Sequence, residues 1–302
     1  MIEPLVNVII PVYKIDSNQL VEAVKSILNQ TYSNIIIIII IDEGSDNISK
    51  GILKKITDPR LVIEENGENR GIPFSLNKGI DLSEGKYIFR MDGDDVCLPD
   101  RIEKQVMFME SHQDVDLVST YAETFGDAVK LYSSSTTNEK IMAELIWKNP
   151  IVHSTVCFRS STLKEKGIRY TPGAAEDYRL WIEMLYGYDC KAAVIPEVLL
   201  KYRIHQSQLT QIDKKGILNK DKDIIKMMAK ILGLDFNDKE INLFCKCRAG
   251  FKIGLNEVFE LKRIEKKIIC SLPESVSKRY ARKMFNKVMI KSVVSKNTNE
   301  EV

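Results

Sequence analysis

This chain of 302 residues has little net charge and no long apolar segment. Its 44 lysines and arginines nearly balance 42 acidic residues, so the charge total indicates neither a nucleic acid nor an acidic partner. The most apolar run, Ile35–Ile41, contains seven residues, whereas a helix needs roughly 20 to cross a bilayer. The first residues lack the basic start and the apolar stretch of a secretory signal. We therefore expect a cytoplasmic protein that binds no nucleic acid.

Histidine is scarce, and the six cysteines are scattered along the sequence. Cys245 and Cys247 are separated by a single residue, but no histidine lies near them to complete a zinc site. The pattern therefore indicates reduced thiols in a cytosolic protein rather than a zinc module.

Basic charge is concentrated in the last third of the chain. Residues 1–209 contain 23 basic and 30 acidic side chains, whereas residues 210–302 contain 21 basic and 12 acidic ones. Lysines are mixed with apolar residues at helical spacing in the segments 220–230, 262–267 and 279–291, so each segment predicts a helix with one apolar face. These helices either pack on the rest of the chain with their lysines in water or bind an anionic lipid surface, to which each basic residue contributes about 1 kcal/mol.

The first half of the chain alternates short β-branched runs with helical patterns, which predicts a parallel sheet covered by helices. Strands are expected at residues 6–11, 35–41, 61–65, 86–91 and 115–120, and helices at 18–30, 47–56, 73–82 and 99–111. The all-isoleucine run has no polar alternation, so it predicts a central strand that is buried on both faces. Later elements are expected as a helix ending near 147, a strand at 154–159, a helix at 175–186, strands at 190–194 and 198–202, and charged helices from 213 onward.

Polar residues follow several of these strands at the point where each strand ends. Asp42 follows the second strand, the segment 66–71 follows the third, and Asp-Gly-Asp-Asp at 92–95 follows the fourth. Because the carboxyl ends of parallel strands open at the same edge of a sheet, these residues are expected to converge. Three carboxylates within four residues repel one another unless a cation lies among them, and Mg²⁺ or Mn²⁺ suits such a site. The alternative is an acidic surface turn.

Sequence motifs follow one another in order along residues 5–210. They are VIIPVY at 8–13, SILNQT at 26–31, DEGSD at 42–46, NRG at 69–71 with LNKG at 76–79, MDGDD at 91–95 with LPDR at 98–101, NPIVH at 149–153, EDYRLW at 176–181 and YRIH at 202–205. Together they resemble the family 2 glycosyltransferases, which have the GT-A fold. The resemblance implies an α/β fold with a mostly parallel, Rossmann-like central sheet flanked by helices.

The same resemblance implies the division of the chain into parts. Residues 1–210 would form the catalytic domain, with a nucleotide-sugar half at about 1–120 and an acceptor half at about 121–210. Residues 211–302, which the motifs do not cover, would form a basic, helical C-terminal appendage.

Most of the implied site residues bind the nucleotide sugar. They are Pro11, Val12, Tyr13, Asp42, Glu43, Asn69, Arg70, Asp92, Gly93, Glu176 and Trp181. Glu43 stands where the family usually has a second aspartate, and it is expected to contact the base. Asp94 is expected to hold Mn²⁺ or Mg²⁺ between the two phosphates, with His205 either as a second ligand or as a structural residue. The indole of Trp181 is suited to stack on a sugar ring, or else it belongs to the core.

Asp177 matches the catalytic base of the family. An acceptor hydroxyl is a poor nucleophile and must lose its proton as it attacks the anomeric carbon, a task for which a carboxylate suffices. The metal neutralises the leaving nucleoside diphosphate, so one base and one metal are enough for a single displacement that inverts the anomeric configuration. The alternative role for Asp177, with Glu176 beside it, is to complement the dipole of a helix.

The resemblance further implies a non-processive enzyme of surface polysaccharide synthesis, because the Gln-x-x-Arg-Trp motif and the transmembrane helices of processive members are absent. The donor would be a UDP-sugar and the acceptor a lipid-linked saccharide, which favours the lipid-binding interpretation of the basic helices and a peripheral location on the inner face of the cell membrane. One alternative is a catalytically silent nucleotide-sugar-binding protein. The other is a sugar-1-phosphate nucleotidyltransferase, although its glycine-rich, basic N-terminal loop is missing.

Overall fold

Nine β-strands form one sheet in the part of the chain that the computed structural model describes, namely residues 3–42, 51, 53, 56–126, 129–173, 175–204 and 214–294. They are β1 (Val6–Val12), β2 (Ile35–Ile41), β3 (Leu61–Glu65), β4 (Tyr87–Arg90), β5 (Val96–Cys97), β6 (Leu117–Gly126), β7 (Leu131–Tyr132), β8 (Cys157–Arg159) and β9 (Ala192–Ile204). Their order across the sheet is β3-β2-β1-β4-β8-β6-β9-β5, with β7 beside β6. Strands β1 to β4 run parallel, so their carboxyl ends open at one edge of the sheet, as the sequence predicts.

The all-isoleucine strand β2 lies between β1 and β3 and pairs with both in parallel. Successive side chains of a strand point to opposite faces of the sheet, and six of the seven isoleucines are buried. Both faces of β2 are therefore covered, which is the environment that an uninterrupted β-branched run favours. The prediction of a strand buried on both faces is confirmed, including its first and last residues, but β2 is the second strand from the edge of the sheet rather than a central one.

Ten α-helices accompany the sheet within the described residues. They are α1 (Ser17–Leu28), α2 (Ile72–Leu82), α3 (Arg101–Ser111), α4 (Asn138–Leu145), α5 (Ser160–Glu165), α6 (Glu176–Ile182), α7 (Lys214–Ile231), α8 (Asp238–Arg248), α9 (Leu255–Ser271) and α10 (Lys278–Val294). Helix α1 begins after Asp16, whose carboxylate accepts hydrogen bonds from the backbone N–H groups of Asn18 and Gln19. Helix α8 begins with a reciprocal capping box between Asn237 and Glu240.

The two strands predicted at residues 190–194 and 198–202 are a single strand, β9, in the structure. The predicted break coincides with Pro196, which cannot donate a hydrogen bond to a neighbouring strand. The pairing of β9 with β6 skips Pro196 and Glu197, which form a bulge, and then continues to Ile204. The bulge accommodates the proline without ending the strand, so the prediction of two strands was wrong.

Several predicted features lie outside the described residues. They include most of the helix at 47–56, the residues Glu43 and His205, and the boundary between the two predicted parts of the chain at 210 and 211.

The C-terminal helices share a hydrophobic core with α4 and α6, on one face of the sheet. Trp147, just after α4, lies edge-on to Phe244 of α8 and Phe285 of α10, with ring centroids 5.2 and 4.5 Å apart. Such aromatic pairs add packing energy beyond the area that they bury. Helices α7 to α10 are therefore packed on the sheet-bearing part of the protein. Within the ranges described above, no helix is long and apolar enough to cross a membrane.

Candidate active site

Three carboxylates gather in the turn that follows β4. Asp92, Asp94 and Asp95 each place a carboxylate oxygen within 4.8 Å of the other two, and Asp95 is buried while the others are partly exposed. Gly93 lets this turn pack closely, because a Cβ atom there would lie 2.7 Å from Cδ1 of Ile15. The turn therefore forms the acidic cluster that the sequence predicts, and the absence of a side chain at Gly93 leaves room for Ile15.

Asp92 is held in place by a buried arginine. Nη1 and Nη2 of Arg90 donate hydrogen bonds to the two carboxylate oxygens of Asp92 at 2.8 and 2.5 Å, a bidentate geometry that fixes the plane of the carboxylate. The Ser154 hydroxyl donates to Asp92 Oδ2 at 2.9 Å and accepts the backbone N–H of Asp92 at 3.0 Å. Arg90 balances one of the three negative charges, so the cluster keeps a net negative charge.

Asp95 lies beneath the other two carboxylates. Its Oδ1 accepts the backbone N–H of Arg203 at 2.9 Å, whereas its Oδ2 is buried with no hydrogen-bond partner among the described residues. Burial, together with the negative charges of Asp92 and Asp94, raises the pKa of Asp95 well above its usual range. A divalent cation would relieve both the repulsion and the unpaired oxygen, so this set of oxygen donors fits Mg²⁺ or Mn²⁺.

Asp42, directly after β2, holds the loop at 66–71 in place through hydrogen bonds. Its carboxylate accepts hydrogen bonds from Asn66 Nδ2 at 2.5 Å and from the backbone N–H of Gly71 at 2.9 Å. Gly71 has a φ of 81°, a left-handed conformation that favours glycine, and it turns the chain into α2. The buried carboxylate of Asp42 therefore shapes the loop that presents the other predicted nucleotide contacts.

Arg70 is presented on this loop. Its guanidinium lies over the ring of Phe74, 3.7 Å from the ring centroid, and 3.5 Å from a carboxylate oxygen of Glu68. The ion pair is exposed to solvent, so it contributes little stability. Asn69 accepts the backbone N–H of Gly71 through Oδ1 at 3.2 Å, which places it on the same loop as Arg70.

The apolar and aromatic residues predicted for the nucleotide-sugar pocket differ in their exposure. Tyr13 is exposed after the end of β1, whereas the side chains of Pro11 and Val12 are buried in the strand. Trp181 is fully buried, and its ring lies edge-on to the imidazole of His153 at a centroid distance of 5.7 Å. The structure therefore favours the core role of Trp181 over stacking on a sugar ring.

Asp177 lies in the first turn of α6. Asn149 Nδ2 donates a hydrogen bond to Asp177 Oδ2 at 2.6 Å, and the backbone N–H of Tyr178 donates to Oδ1 at 2.7 Å. Burial raises the pKa of Asp177 to about 6, with a further rise from the negative charge of Glu176, while the two donors oppose the rise. A carboxylate with this pKa is deprotonated at neutral pH and remains basic enough to accept a proton.

The segment 149–154 contacts both the acidic cluster and Asp177. The Tyr170 hydroxyl is 2.8 Å from His153 Nε2, and its pKa is raised by burial, with contributions from the charges of Asp177 and Asp92. Burial, aided by the positive charge of Arg90, holds the pKa of His153 well below its usual range, so this imidazole is neutral. Asn149 donates to Asp177 and Ser154 donates to Asp92, so the two carboxylates are held by residues five positions apart.

The raised pKa of Asp177 predicts the pH dependence of the reaction. Only the deprotonated carboxylate accepts a proton, so kcat/KM is expected to be level above about pH 6 and to fall about tenfold per pH unit below it. Glu176→Gln removes a neighbouring negative charge, which lowers the pKa of Asp177 and moves the acid limb to lower pH. Glu165→Gln, a change at an exposed position, should leave the limb where it is. A limb that Glu176→Gln does not move would contradict the assignment of this pKa to Asp177.

Helix α8 reaches the helix that carries Asp177. Arg248 is buried, and its Nη2 donates to the Tyr178 hydroxyl at 2.9 Å and to Asp221 Oδ1 at 3.0 Å, while its Nη1 donates to the carbonyl of Ile146 at 3.0 Å. These bonds join α6 to the segment that follows α4. Through Arg248, α8 therefore contacts both the helix that carries Asp177 and the segment between α4 and Asn149.

Replacing Arg248 by methionine is expected to destabilise the protein. It leaves the partly buried carboxylate of Asp221 without its partner, a change that costs about 3–5 kcal/mol and lowers the unfolding midpoint by roughly 10 °C. Arg263→Met is the matched control, because Arg263 pairs with Glu260 on the surface, and it should change stability by less than about 0.5 kcal/mol. Adding Asp221→Leu to Arg248→Met should recover stability. Equal midpoints for the two single variants would contradict the role of this network.

The sequence identified the carboxylates of the site but not the residues that orient them. Arg90, Ser154 and Asn149 were not among the predicted site residues. Arg90 offered one signal, because a charged residue within an otherwise apolar, buried strand requires a partner. Ser154 offered none, because it lies 62 residues from Asp92 and no short sequence pattern connects the two.

A mixed sheet, whose parallel strands β1 to β4 end at one edge beside a carboxylate cluster, is the architecture of the GT-A fold. The chain belongs to the family "Glycosyl transferase family 2", whose sequence profile matches residues 7–166. One relative is the O-antigen biosynthesis glycosyltransferase WbnJ of Escherichia coli. It is 35% identical over 213 residues, which cover 67% of this chain and 80% of WbnJ.

Two solved structures share the fold. TarS 1–349 of S. aureus, in complex with UDP-GlcNAc, superposes with a TM-score of 0.64 at 15% identity, covering 96% of this chain and 88% of that one. The mannosyltransferase PcManGT from Pyrobaculum calidifontis, in complex with GDP-Man and Mn²⁺, gives a TM-score of 0.58 at 15% identity, covering 97% and 86%. The prediction of an α/β, GT-A fold is confirmed, and so is the prediction of a family 2 glycosyltransferase.

Proposed function

We propose that the protein is an inverting, metal-dependent glycosyltransferase that moves a sugar from a UDP-sugar to an acceptor hydroxyl. The observation that carries this proposal is that one short segment holds both carboxylates: Asn149 donates to Asp177 at 2.6 Å, and Ser154, five residues later, donates to Asp92 at 2.9 Å. A donor bound at the cluster would therefore place its anomeric carbon near a proton acceptor, and such positioning is a large part of catalysis.

Asp94 is proposed to hold the divalent ion, with Asp92 and Asp95 beside it. His205, outside the described residues, would be its second ligand. When bound, Mn²⁺ or Mg²⁺ supplies positive charge that stabilises the departing nucleoside diphosphate. Arg203 keeps the turn in place, because its Nε donates to the backbone carbonyl of Asp94 at 2.7 Å. The presence of Mn²⁺ in the PcManGT complex supports this assignment.

The nucleotide is proposed to lie along the carboxyl ends of β1 to β3. There Tyr13 offers an exposed ring to the base, and Glu43 is expected to contact the same base. Arg70 would meet a phosphate after leaving Glu68, and Asn69 would contact the nucleotide from the same loop. The solved structures hold UDP-GlcNAc in TarS and GDP-Man in PcManGT, so they support a nucleotide-sugar donor, and the choice of uridine rests on the family resemblance.

Asp177 is proposed to be the catalytic base. It accepts the proton of the acceptor hydroxyl while the hydroxyl oxygen forms a bond to the anomeric carbon. The bond from that carbon to the diphosphate breaks on the opposite side, so an α-linked donor gives a β-linked product. Asn149 and the backbone of Tyr178 fix both oxygens of the carboxylate, which keeps its direction constant during the transfer.

The acceptor is proposed to be a lipid-linked saccharide in the synthesis of a surface polysaccharide. The relative WbnJ is an O-antigen biosynthesis enzyme by name, which supports this acceptor class. A single, non-processive addition is proposed, because the sequence has no Gln-x-x-Arg-Trp motif. A basic surface on the C-terminal helices would hold the enzyme peripherally at the inner face of the cell membrane, next to such an acceptor.

The experiment is an incubation of the purified protein with Mn²⁺ and a panel of UDP-, GDP- and dTDP-sugars, chosen first by the rise that each gives in melting temperature. Nucleoside diphosphate release is expected with a UDP-sugar, in the presence of a metal and not with EDTA. NMR of the product should show a β-linkage from an α-linked donor. A product of retained configuration would contradict the proposed mechanism.

Two other results would replace the proposal. A catalytically silent protein would bind the nucleotide sugar but release no nucleoside diphosphate with any acceptor. A nucleotidyltransferase would instead form pyrophosphate from a nucleoside triphosphate and a sugar 1-phosphate.

A further inference from the structure

Helices α9 and α10 expose apolar side chains at one end of the pair that they form. The backbone N–H of Ile253, just before α9, donates to the carbonyl of Ser292 near the end of α10 at 3.2 Å, so the helices run antiparallel. Leu255 and Phe259, four residues apart on one face of α9, are 78% and 77% exposed. At the same end of the pair, α10 exposes two more apolar side chains. These are Ile290 and Val293.

Cations continue the exposed face along the two helices. Lys262 Nζ donates to Asn286 Oδ1 at 2.7 Å across the pair, and beyond this contact lies a groove of about 200 Å³ lined by Lys262, Lys266 and Arg282. Over the ranges that the structure describes, Lys266 and Arg282 have no ion-pair partner. The face therefore changes from apolar to cationic along its length.

Among the three acidic residues of α9, Glu265 lines this groove, where it pairs with Lys262 and leaves Lys266 and Arg282 without a neutralising partner in the described part of the chain. Glu257 binds Lys246 and caps the start of α9, and Glu260 contacts Arg263 on the surface. Residues 252–294 contain eleven basic and four acidic side chains, so the face has an excess of positive charge that an anionic partner would complement.

We propose that this face of α9 and α10, called the α9–α10 face, binds an anionic lipid bilayer. The apolar end, with Leu255 and Phe259, enters the boundary between head groups and acyl chains, while Lys266 and Arg282 contact lipid phosphates. An exposed apolar cluster bordered by lysines and arginines is the pattern of helices that lie in a membrane interface. The inference rests on the proposed function for its purpose, which is to reach a lipid-linked acceptor, but the binding itself needs no sugar transfer.

The test is co-sedimentation of the full chain with vesicles of phosphatidylcholine alone or with 30% phosphatidylglycerol. We expect the full chain to bind the anionic vesicles at least about tenfold more strongly than the neutral ones, and this binding should weaken as the salt concentration is raised.

The double variant Leu255→Ser with Phe259→Ser should lower the partition coefficient by at least about tenfold, because both substitutions remove apolar area that enters the bilayer. Lys266→Gln with Arg282→Gln should lower it by about 25-fold, since each cation contributes about a factor of five. Met107→Ser, on the exposed side of α3, is the control and should bind like the wild type.

Cys270 provides a second readout. It lines the groove and is exposed, whereas the other five cysteines are buried, so a thiol-reactive, polarity-sensitive fluorophore labels this face selectively. The emission of the labelled protein should shift to the blue with anionic vesicles and remain unchanged with neutral ones.

The results separate this inference from the proposed enzyme activity. The variants of the α9–α10 face should release nucleoside diphosphate from a soluble donor and a soluble acceptor at the wild-type rate, because none of the changed residues belongs to the active site. Equal binding to neutral and anionic vesicles, or unchanged binding by both double variants, would overturn the membrane assignment. A dimer in solution that Leu255→Ser with Phe259→Ser dissociates, without vesicle binding, would instead assign the face to self-association.

Discussion

Replacing Asp177 by asparagine is expected to slow sugar transfer by about 10²–10⁴-fold while leaving donor binding intact. The amide has nearly the same shape as the carboxylate but cannot accept a proton from the acceptor hydroxyl. Because the contacts proposed for the nucleotide and the metal lie in other elements, the affinity for the nucleotide sugar in the presence of Mn²⁺ should stay within about twofold. Product formation and calorimetry of donor binding measure the two effects separately.

The folded state should tolerate this change. Asparagine has one acceptor oxygen where aspartate has two, and both Asn149 and the Tyr178 N–H donate to Asp177. One hydrogen bond is therefore lost, at a cost of about 1 kcal/mol. Burial disfavours the charged carboxylate, as the raised pKa of Asp177 indicates, so an uncharged group at this position offsets the loss. The unfolding midpoint should change little, and the loss of transfer cannot then be attributed to unfolding.

Asp189→Asn is the matched control for this prediction. Asp189 is exposed and has a φ of 50°, a conformation that asparagine adopts readily. The same chemical change there should leave transfer and stability as in the wild type. If Asp177→Asn retained more than about a tenth of the wild-type rate, another group would have to accept the proton.

The elements that the sequence predicted best are those whose environment is uniform along their length. Strand β2 has one residue type, both faces buried and a strand on each side, so its bounds follow from its composition. Strand β9 could not be predicted in the same way, because Pro196 suggests a break that the bulge opposite β6 removes. The bulge depends on pairing with residues about 75 positions earlier in the chain, which local patterns do not contain.

In the site, too, the sequence predicted individual residues better than the contacts that they make. The carboxylates of the acidic cluster were predicted, because their spacing in one turn is visible in the sequence. Arg90 and Asp92 are also close in the sequence. The direction of the Arg90 side chain, however, follows from the position of its strand in the sheet, which the sequence does not give. Trp181 had two interpretations, and only the packing of α6 against His153 distinguishes them.

The C-terminal helices carried the least sequence information about their role. Their basic composition predicted lysines in water or on a lipid surface, and both interpretations place the charges outside the protein. The structure adds Arg248, a buried cation that joins α8 to the helix of the proposed base. Its three hydrogen-bond partners come from three separate segments of the chain, so no local pattern indicates it.

Replacing Asp94 by asparagine is expected to remove the dependence of nucleotide binding on the divalent ion. Mn²⁺ should strengthen the binding of UDP to the wild type, since it contributes several kcal/mol of charge stabilisation. Without the carboxylate of Asp94, we expect the affinity for UDP in the presence of Mn²⁺ to be lower by at least about 100-fold. The backbone carbonyl of Asp94, which accepts the hydrogen bond from Arg203, is unchanged, so the turn should keep its shape. Calorimetry of UDP binding with Mn²⁺ and with EDTA measures the effect.

The thermal stability of the Asp94→Asn variant separates loss of the ion from loss of the fold. The charges of Asp92 and Asp94 raise the pKa of Asp95, which means that the three carboxylates repel one another when no cation is present. Removing one charge should therefore raise the unfolding midpoint in EDTA, whereas the further rise that Mn²⁺ and UDP give the wild type should disappear. Asp100→Asn makes the same change of charge outside the cluster, next to Lys104, and should keep the full response to Mn²⁺. An undiminished response in Asp94→Asn would place the ion on other residues.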